Sequence, residues 1–145
     1  DLSRVDYRQY VQELVASLIQ SYSAGQGRIE VQVDVDDVVL GLDTAVPCGL
    51  IINELVSNAL KHAFPGQRRG RLIVRLRALH PEWYELILAD DGVGLPEGMD
   101  IRQSETLGLQ LVHTLVRQLN GKIELHREAG TKFWICFQEI RYKGR

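Results

Sequence analysis

Cysteine is scarce in this chain, a lysine-rich tail is missing, and no long apolar run occurs; each absence removes a class of protein. Two cysteines, Cys48 and Cys136, cannot build a disulfide framework. Neither has a second cysteine or a histidine at zinc-ligand spacing, and both lie in apolar stretches, so they read as buried free thiols. No segment approaches the roughly 20 apolar residues of a membrane span, and no secretory leader is expected. A formal charge of −2 gives no overall attraction to nucleic acid, and no basic amphipathic helix offers itself to a membrane surface. The one basic cluster, Arg68, Arg69, Arg71, Arg75 and Arg77, straddles a turn and a strand and reads as a solvated face. The expectation is a soluble, cytoplasmic domain with no nucleic-acid partner and no direct membrane contact. Because the first residue is Asp1 and a helical pattern starts at once, the chain is expected to be a piece of something longer.

What is present is enough apolar material for one core. With 145 residues, 45% of them hydrophobic and 25% charged, the chain is expected to form a single domain over residues 1–145. Tyr7, Tyr10, Val11, Leu14, Val15, Leu18, Ile19 and Tyr22 recur at helical spacing behind a cap at Ser3, which predicts a helix over 4–22. Ile29, Val31, Val33 and Val35 alternate with polar residues as a strand does, and a short strand over 38–40 follows. Asp43 or Thr44 can cap a second helix that tolerates Pro47 in its first turn and stops at Phe64-Pro65-Gly66. Two strands, 72–78 and 83–89, should pair antiparallel across His80-Pro81. Residues 95–107 lack periodicity and read as a loop, long enough to suggest a function. A third helix ends at Asn120-Gly121, and strands 122–127 and 131–138 close the chain. Three helices and about six strands, in runs rather than strict alternation, predict an α+β fold with the helices layered on one face of a mixed sheet.

Glu54, Asn58, Lys61 and His62 form a polar stripe on the second helix. At roughly 100° per residue the first three fall within about 60° of one another, with His62 at the edge. A carboxylate, a carboxamide and an ammonium so arranged can hold a hydrated Mg²⁺ by oxygen and meet phosphate with the lysine. Any amphipathic surface helix also puts polar residues opposite its core, so the stripe alone decides nothing.

The glycines that follow add weight. Gly92 and Gly94 come directly after an apolar strand ending in Asp90, where the backbone can turn sharply and approach a flat ligand. A dinucleotide fingerprint would need a third glycine where Glu97 stands and a helix where Leu95-Pro96 begins a loop, so it is rejected. Asp90 can instead accept a hydrogen bond from an exocyclic amine such as that of adenine, or simply belong to an Asp-Gly turn. Gly108, at the start of the third helix, leaves N–H groups free for an anion or merely eases the start of the helix. Thr131, after Gly130, can reach a ligand or pack against its turn. Each signal is weak by itself; their order along the chain is specific.

That order resembles the ATP-binding catalytic domain of sensor histidine kinases, within the ATPase class shared with DNA gyrase, Hsp90 and MutL. Residues 53–64, from Asn53-Glu54 through Asn58 to Lys61-His62-Ala63-Phe64, look like the N box. Residues 89–96, with Asp90, Gly92 and Gly94, look like the first glycine box. Leu107-Gly108-Leu109 looks like the second, and Gly130-Thr131 like the terminal Gly-Thr element. The wording of residues 60–65 and the short loop are most similar to the HisKA_2 subgroup. The resemblance implies a two-layer α/β sandwich of the Bergerat type, with ATP and Mg²⁺ as ligands. It implies Asn58 on Mg²⁺, with Glu54 as a further candidate, Lys61 on phosphate and His62 near ribose or phosphate. Asp90 would bind the adenine amine, Gly92 and Gly94 would shape the base pocket, and Thr131 would lie near the base. Leu107, Gly108 and Leu109 would present backbone to phosphate.

The implied activity is protein-histidine kinase, with Glu54, Asn58 and Lys61 as catalytic residues. The implied partners are an upstream dimerisation domain bearing the phosphoacceptor histidine and a response regulator receiver domain. No helical hairpin for that histidine fits before residue 28, and His62, His80, His113 and His126 all sit in elements that suit pocket or surface roles, so the acceptor is expected outside this chain. The alternatives are an ATPase of the gyrase and Hsp90 type with Glu54 as general base, a serine kinase, and a non-catalytic interaction module.

Overall fold

The computed structural model describes residues 3–22, 28–94 and 107–140. Seven strands and three helices follow one another as β1 (Arg4–Asp6), α1 (Tyr7–Ser21), β2 (Ile29–Val35), β3 (Val39–Gly41), α2 (Leu42–His62), β4 (Gly70–Leu79), β5 (Trp83–Asp90), α3 (Leu107–Gln118), β6 (Lys122–His126) and β7 (Thr131–Gln138). Five strands form one sheet in the order β2-β4-β5-β7-β6. β2 and β4 run parallel, and every other pair in this sheet is antiparallel. The α+β expectation, with helices on one face of a mixed, mostly antiparallel sheet, holds.

Strand periodicity divides the sheet into two faces. Leu72, Val74 and Leu76 of β4, Leu86 and Leu88 of β5, and Phe133, Ile135 and Phe137 of β7 are buried beneath the helices. The alternate residues face away: Arg75 pairs with Asp34 at 3.2 Å, and the Trp134 indole N–H donates to Glu85 at 2.9 Å. Three of the five clustered arginines, Arg71, Arg75 and Arg77, reach carboxylates of β2 at 3.2–3.5 Å, as a solvated face would. Cys48 is buried, but Cys136 lies half-buried on the outward face of β7, not in the core as expected.

α2 is the central helix. It buries Ile51, Ile52, Leu55, Val56 and Ala59, each large side chain stabilising the fold by about 1.5–3 kcal/mol. α1 and α3 pack along its two sides.

The first helix was expected from residue 4 with a Ser3 cap. Residues 4–6 instead form β1, which pairs antiparallel with β3 as Arg4 with Gly41, Val5 with Leu40 and Asp6 with Val39. The cap is Asp6, whose carboxylate accepts the Gln9 N–H. Apolar spacing continued through Val5 into α1, and only the partner strand, 35 residues on, breaks it. α2 likewise starts earlier than expected, with Gly41 as its cap and no side-chain bond there. Asp43 lies in its first turn and suits the positive end of the helix. Thr44 is engaged elsewhere, its hydroxyl accepting the Ile140 N–H at 2.7 Å. Pro47 stands in the second turn, one turn later than expected, and is buried there.

Candidate active site

The C-terminal half of α2 does not lie flush on the sheet. Between it, the ends of β5 and β7 and the start of α3 opens a cavity of about 390 Å³, within the range of small-ligand sites. Its walls are Leu55 and Ala59 of α2, Leu72 of β4, Leu88 of β5, Leu109 of α3 and Phe133 of β7. Its polar groups are few and grouped: Asn58 and His62 from α2, Asp90 at the end of β5 and Thr131 opposite it at the start of β7. Val93 and Gly94 form the lip.

Among the described residues Asp90 is the one carboxylate lining this apolar space. Burial pushes its pKa above the ordinary carboxylate value, and the neighbouring Asp91 charge pushes the same way; the N–H groups of Gly92 and Thr131 and the Arg68 charge oppose them. The Gly92 N–H donates to Asp90 Oδ1 at 2.9 Å, and a carboxylate has lone pairs beyond its backbone bonds to offer a ligand. Gly92 is held against the end of α2, where Val93 N–H donates to Ala63 O at 2.9 Å, and any Cβ on Gly92 would run into the Ala63 backbone. Glycine is required there for close approach.

The second glycine motif meets the stripe directly. A Cβ built on Gly108 would lie 2.5 Å from Glu54 Oε2 and 3.9 Å from Asn58 Nδ2. The small residue thus lets α3 come close to α2 where the carboxylate and the carboxamide project. Leu107 opens this helix and Leu109 is buried in the cavity wall.

The stripe separates into three environments. Asn58 and His62 line the cavity, Glu54 lies beside Gly108 and is not among the lining residues, and Lys61 turns away. The Lys61 ammonium sits 5.3 Å from the centroid of the Tyr22 ring, a cation–π contact at the end of α1. Residues 95–106, which include most of the expected loop, lie outside the described residues. Sequence reading missed the apolar walls, since Leu55, Leu72, Leu88 and Phe133 look like any core residues. It also missed Arg28 and Asp91, whose bonds outside the cavity are local to no periodic pattern. Among the described residues no group of three His, Cys, Asp or Glu side chains could hold a metal alone, and no helix is long and apolar enough to cross a membrane.

Residues 43–141 match the family described as histidine kinase-, DNA gyrase B-, and HSP90-like ATPase. Over 97 residues the chain is 40% identical to the sensor histidine kinase PdtaS of Mycobacterium tuberculosis, covering 64% of this chain and 19% of that protein. Over 113 residues it is 34% identical to blue-light-activated histidine kinase 2 of Erythrobacter litoralis, covering 78% of this chain and 32% of that protein. The chain therefore spans about a fifth to a third of the length of these relatives. The solved histidine kinase domain of the Erythrobacter litoralis EL346 blue-light activated kinase superposes with a TM-score of 0.86 at 29% identity, over 93% of this chain and 62% of that one.

Proposed function

The chain belongs to the histidine kinase-, DNA gyrase B-, and HSP90-like ATPase family, and on that premise we propose that it is the ATP-binding catalytic domain of a sensor histidine kinase. It holds Mg·ATP and gives the γ-phosphoryl group to a histidine on a separate upstream segment, from which a receiver domain of a response regulator takes it. The observation that carries this reading is the Asp90 carboxylate, set against burial in an apolar slot with Asn58 and His62 on the same wall.

Asp90 accepts the adenine amine through its carboxylate, while Leu72, Leu88 and Phe133 cover the base and exclude water. Gly92 and Gly94 let the backbone come close to it, and Thr131 lies beside the base. His62 faces the ribose or the phosphates. The backbone N–H groups at Leu107, Gly108 and Leu109 meet phosphate oxygens at the positive end of α3.

The oxygen donors suit Mg²⁺, a hard cation that keeps several waters and takes ligands from substrate phosphates, so no all-protein cluster is needed. Asn58 would hold it through its carboxamide oxygen, with Glu54 beside it; when bound, Mg²⁺ neutralises phosphate charge. Lys61 leaves the Tyr22 ring to meet the phosphates. In the transfer, the P–O bond to the β-phosphate breaks and a P–N bond to imidazole forms. ADP leaves, and the imidazole N–H proton passes to a base, a role that Glu54 fits at the α2–α3 contact. Such transfer is mostly positioning and charge stabilisation.

The test is to incubate the chain with Mg²⁺, γ-labelled ATP and the histidine-bearing segment of its longer protein. The expected product is acid-labile phosphate on that segment. Steady phosphate release by the chain alone, abolished by Glu54→Ala, would instead make it an ATPase of the hydrolysing kind. Failure to bind any adenine nucleotide would make it an interaction module.

A further inference from the structure

Outside the cavity, charged side chains converge on the backbone of the turn that carries Asp90. Arg28, one residue before β2, donates through Nη1 to Phe64 O at 3.1 Å and to Arg68 O at 2.8 Å. Its own carbonyl accepts the Gly70 N–H at 3.0 Å, so Arg28 pins both ends of the segment joining α2 to β4. Arg68, fixed at its carbonyl in this way, donates from Nη2 to Asp91 O at 3.1 Å. Asp91 also accepts the Arg71 N–H at Oδ1, 2.7 Å away, and donates its own N–H to Arg71 O at 3.2 Å.

One peptide plane links this outer network to the pocket. The carbonyl that accepts from Arg68 and the N–H that donates to Asp90 Oδ1 belong to the same Asp91–Gly92 peptide group. A peptide group is planar and stiff, so holding its oxygen fixes where its N–H points. None of Arg28, Arg68 and Asp91 lines the cavity. We propose that Arg28 and Arg68 are positioning residues that orient the Asp90 carboxylate toward the base through the Asp91–Gly92 peptide, an inference that rests on Asp90 accepting the adenine amine. The Arg68 charge also opposes the effect of burial on that carboxylate.

Calorimetric titration of the chain with ATP and with purine riboside triphosphate, which lacks the 6-amine, isolates this role. The wild type should prefer ATP by more than tenfold. Arg68→Gln and Arg28→Gln should each reduce that preference at least threefold, while the affinity for the amine-free nucleotide changes less than twofold. Arg68→Lys, which can still donate to one carbonyl, should recover part of the preference. Equal weakening of both nucleotides, or an unchanged preference in both variants, would overturn the proposal. If Arg28→Gln fails to fold, Arg68→Gln decides alone, because it removes one hydrogen bond at the surface. A wild type that does not discriminate would overturn the adenine reading itself, and a failure at that stage is distinct from one confined to the variants.

Discussion

The two halves of α2 are built for different ends. Around its first turns the buried polar groups are paired: the Tyr7 hydroxyl donates to Ala45 O at 2.8 Å, Thr44 accepts from Ile140, and Glu139 accepts from Gly41 N–H at 3.2 Å and from Arg4 at 3.4 Å. These bonds tie residues from both ends of the chain to the start of one helix, and burial drives the Cys48 thiol up to about 12 and keeps the Tyr7 hydroxyl protonated. Around the last turns the same helix stands off the sheet, leaves a cavity, and faces a carboxylate whose burial is unfavourable. The difference teaches how one helix can pair its polar groups at one end and keep a mismatch at the other, which on the proposed function a ligand completes.

That contrast can be broken from either side. The largest effect should come from Tyr7→Ala, which empties a fully buried aromatic site. It should cost about 3–5 kcal/mol in urea unfolding while the folded fraction keeps its ATP affinity. Asp90→Asn should do the reverse. ATP affinity should fall more than tenfold, over about 1.4 kcal/mol, while thermal stability without nucleotide rises at neutral pH. The sign follows from the raised carboxyl pKa: the native state is favoured below the unfolded carboxylate value and loses that advantage as pH rises through the native one. The stability gain of the variant should therefore be present at pH 7 and vanish in acid, where wild-type Asp90 is itself neutral; melting curves across pH measure it.

Smaller effects sharpen the comparison. Thr44→Val leaves the Ile140 N–H without its acceptor and should cost about 1–3 kcal/mol of stability with no change in nucleotide affinity, read from paired melts and titrations. Asn58→Ala should abolish the Mg²⁺-dependent part of ATP affinity while binding without metal persists. The smallest is Tyr22→Leu, which frees Lys61 from a contact of about 0.5–1 kcal/mol and should raise ATP affinity about two- to fivefold.

Most of the fold was legible because its signals are local. Alternation placed β2, β4, β5 and β7, and Asn120-Gly121 marked the end of α3, with Asn120 at φ 53°. The error at the start of the first helix comes from pairing between distant residues. Arg4 meets Glu139 across 135 positions, and β1 exists only because β3 lies beside it. Asn58, His62, Asp90, Gly94, Leu109 and Thr131, named from the sequence, line one cavity, but how the α2 stripe divides was not legible. A helical wheel gives angles around α2 and says nothing of neighbours, so Lys61 shared a stripe with Asn58 yet faces Tyr22. The basic cluster hid Arg68 among solvated arginines, although it grips the turn of Asp90.

Calorimetric titration of Mg·ATP into the wild type and Asp90→Asn, side by side at pH 7, tests the central claim most directly. Affinity at least tenfold weaker in a variant whose melting temperature is not lowered is the expected result. Equal affinities would contradict the assignment of this cavity to the adenine of ATP.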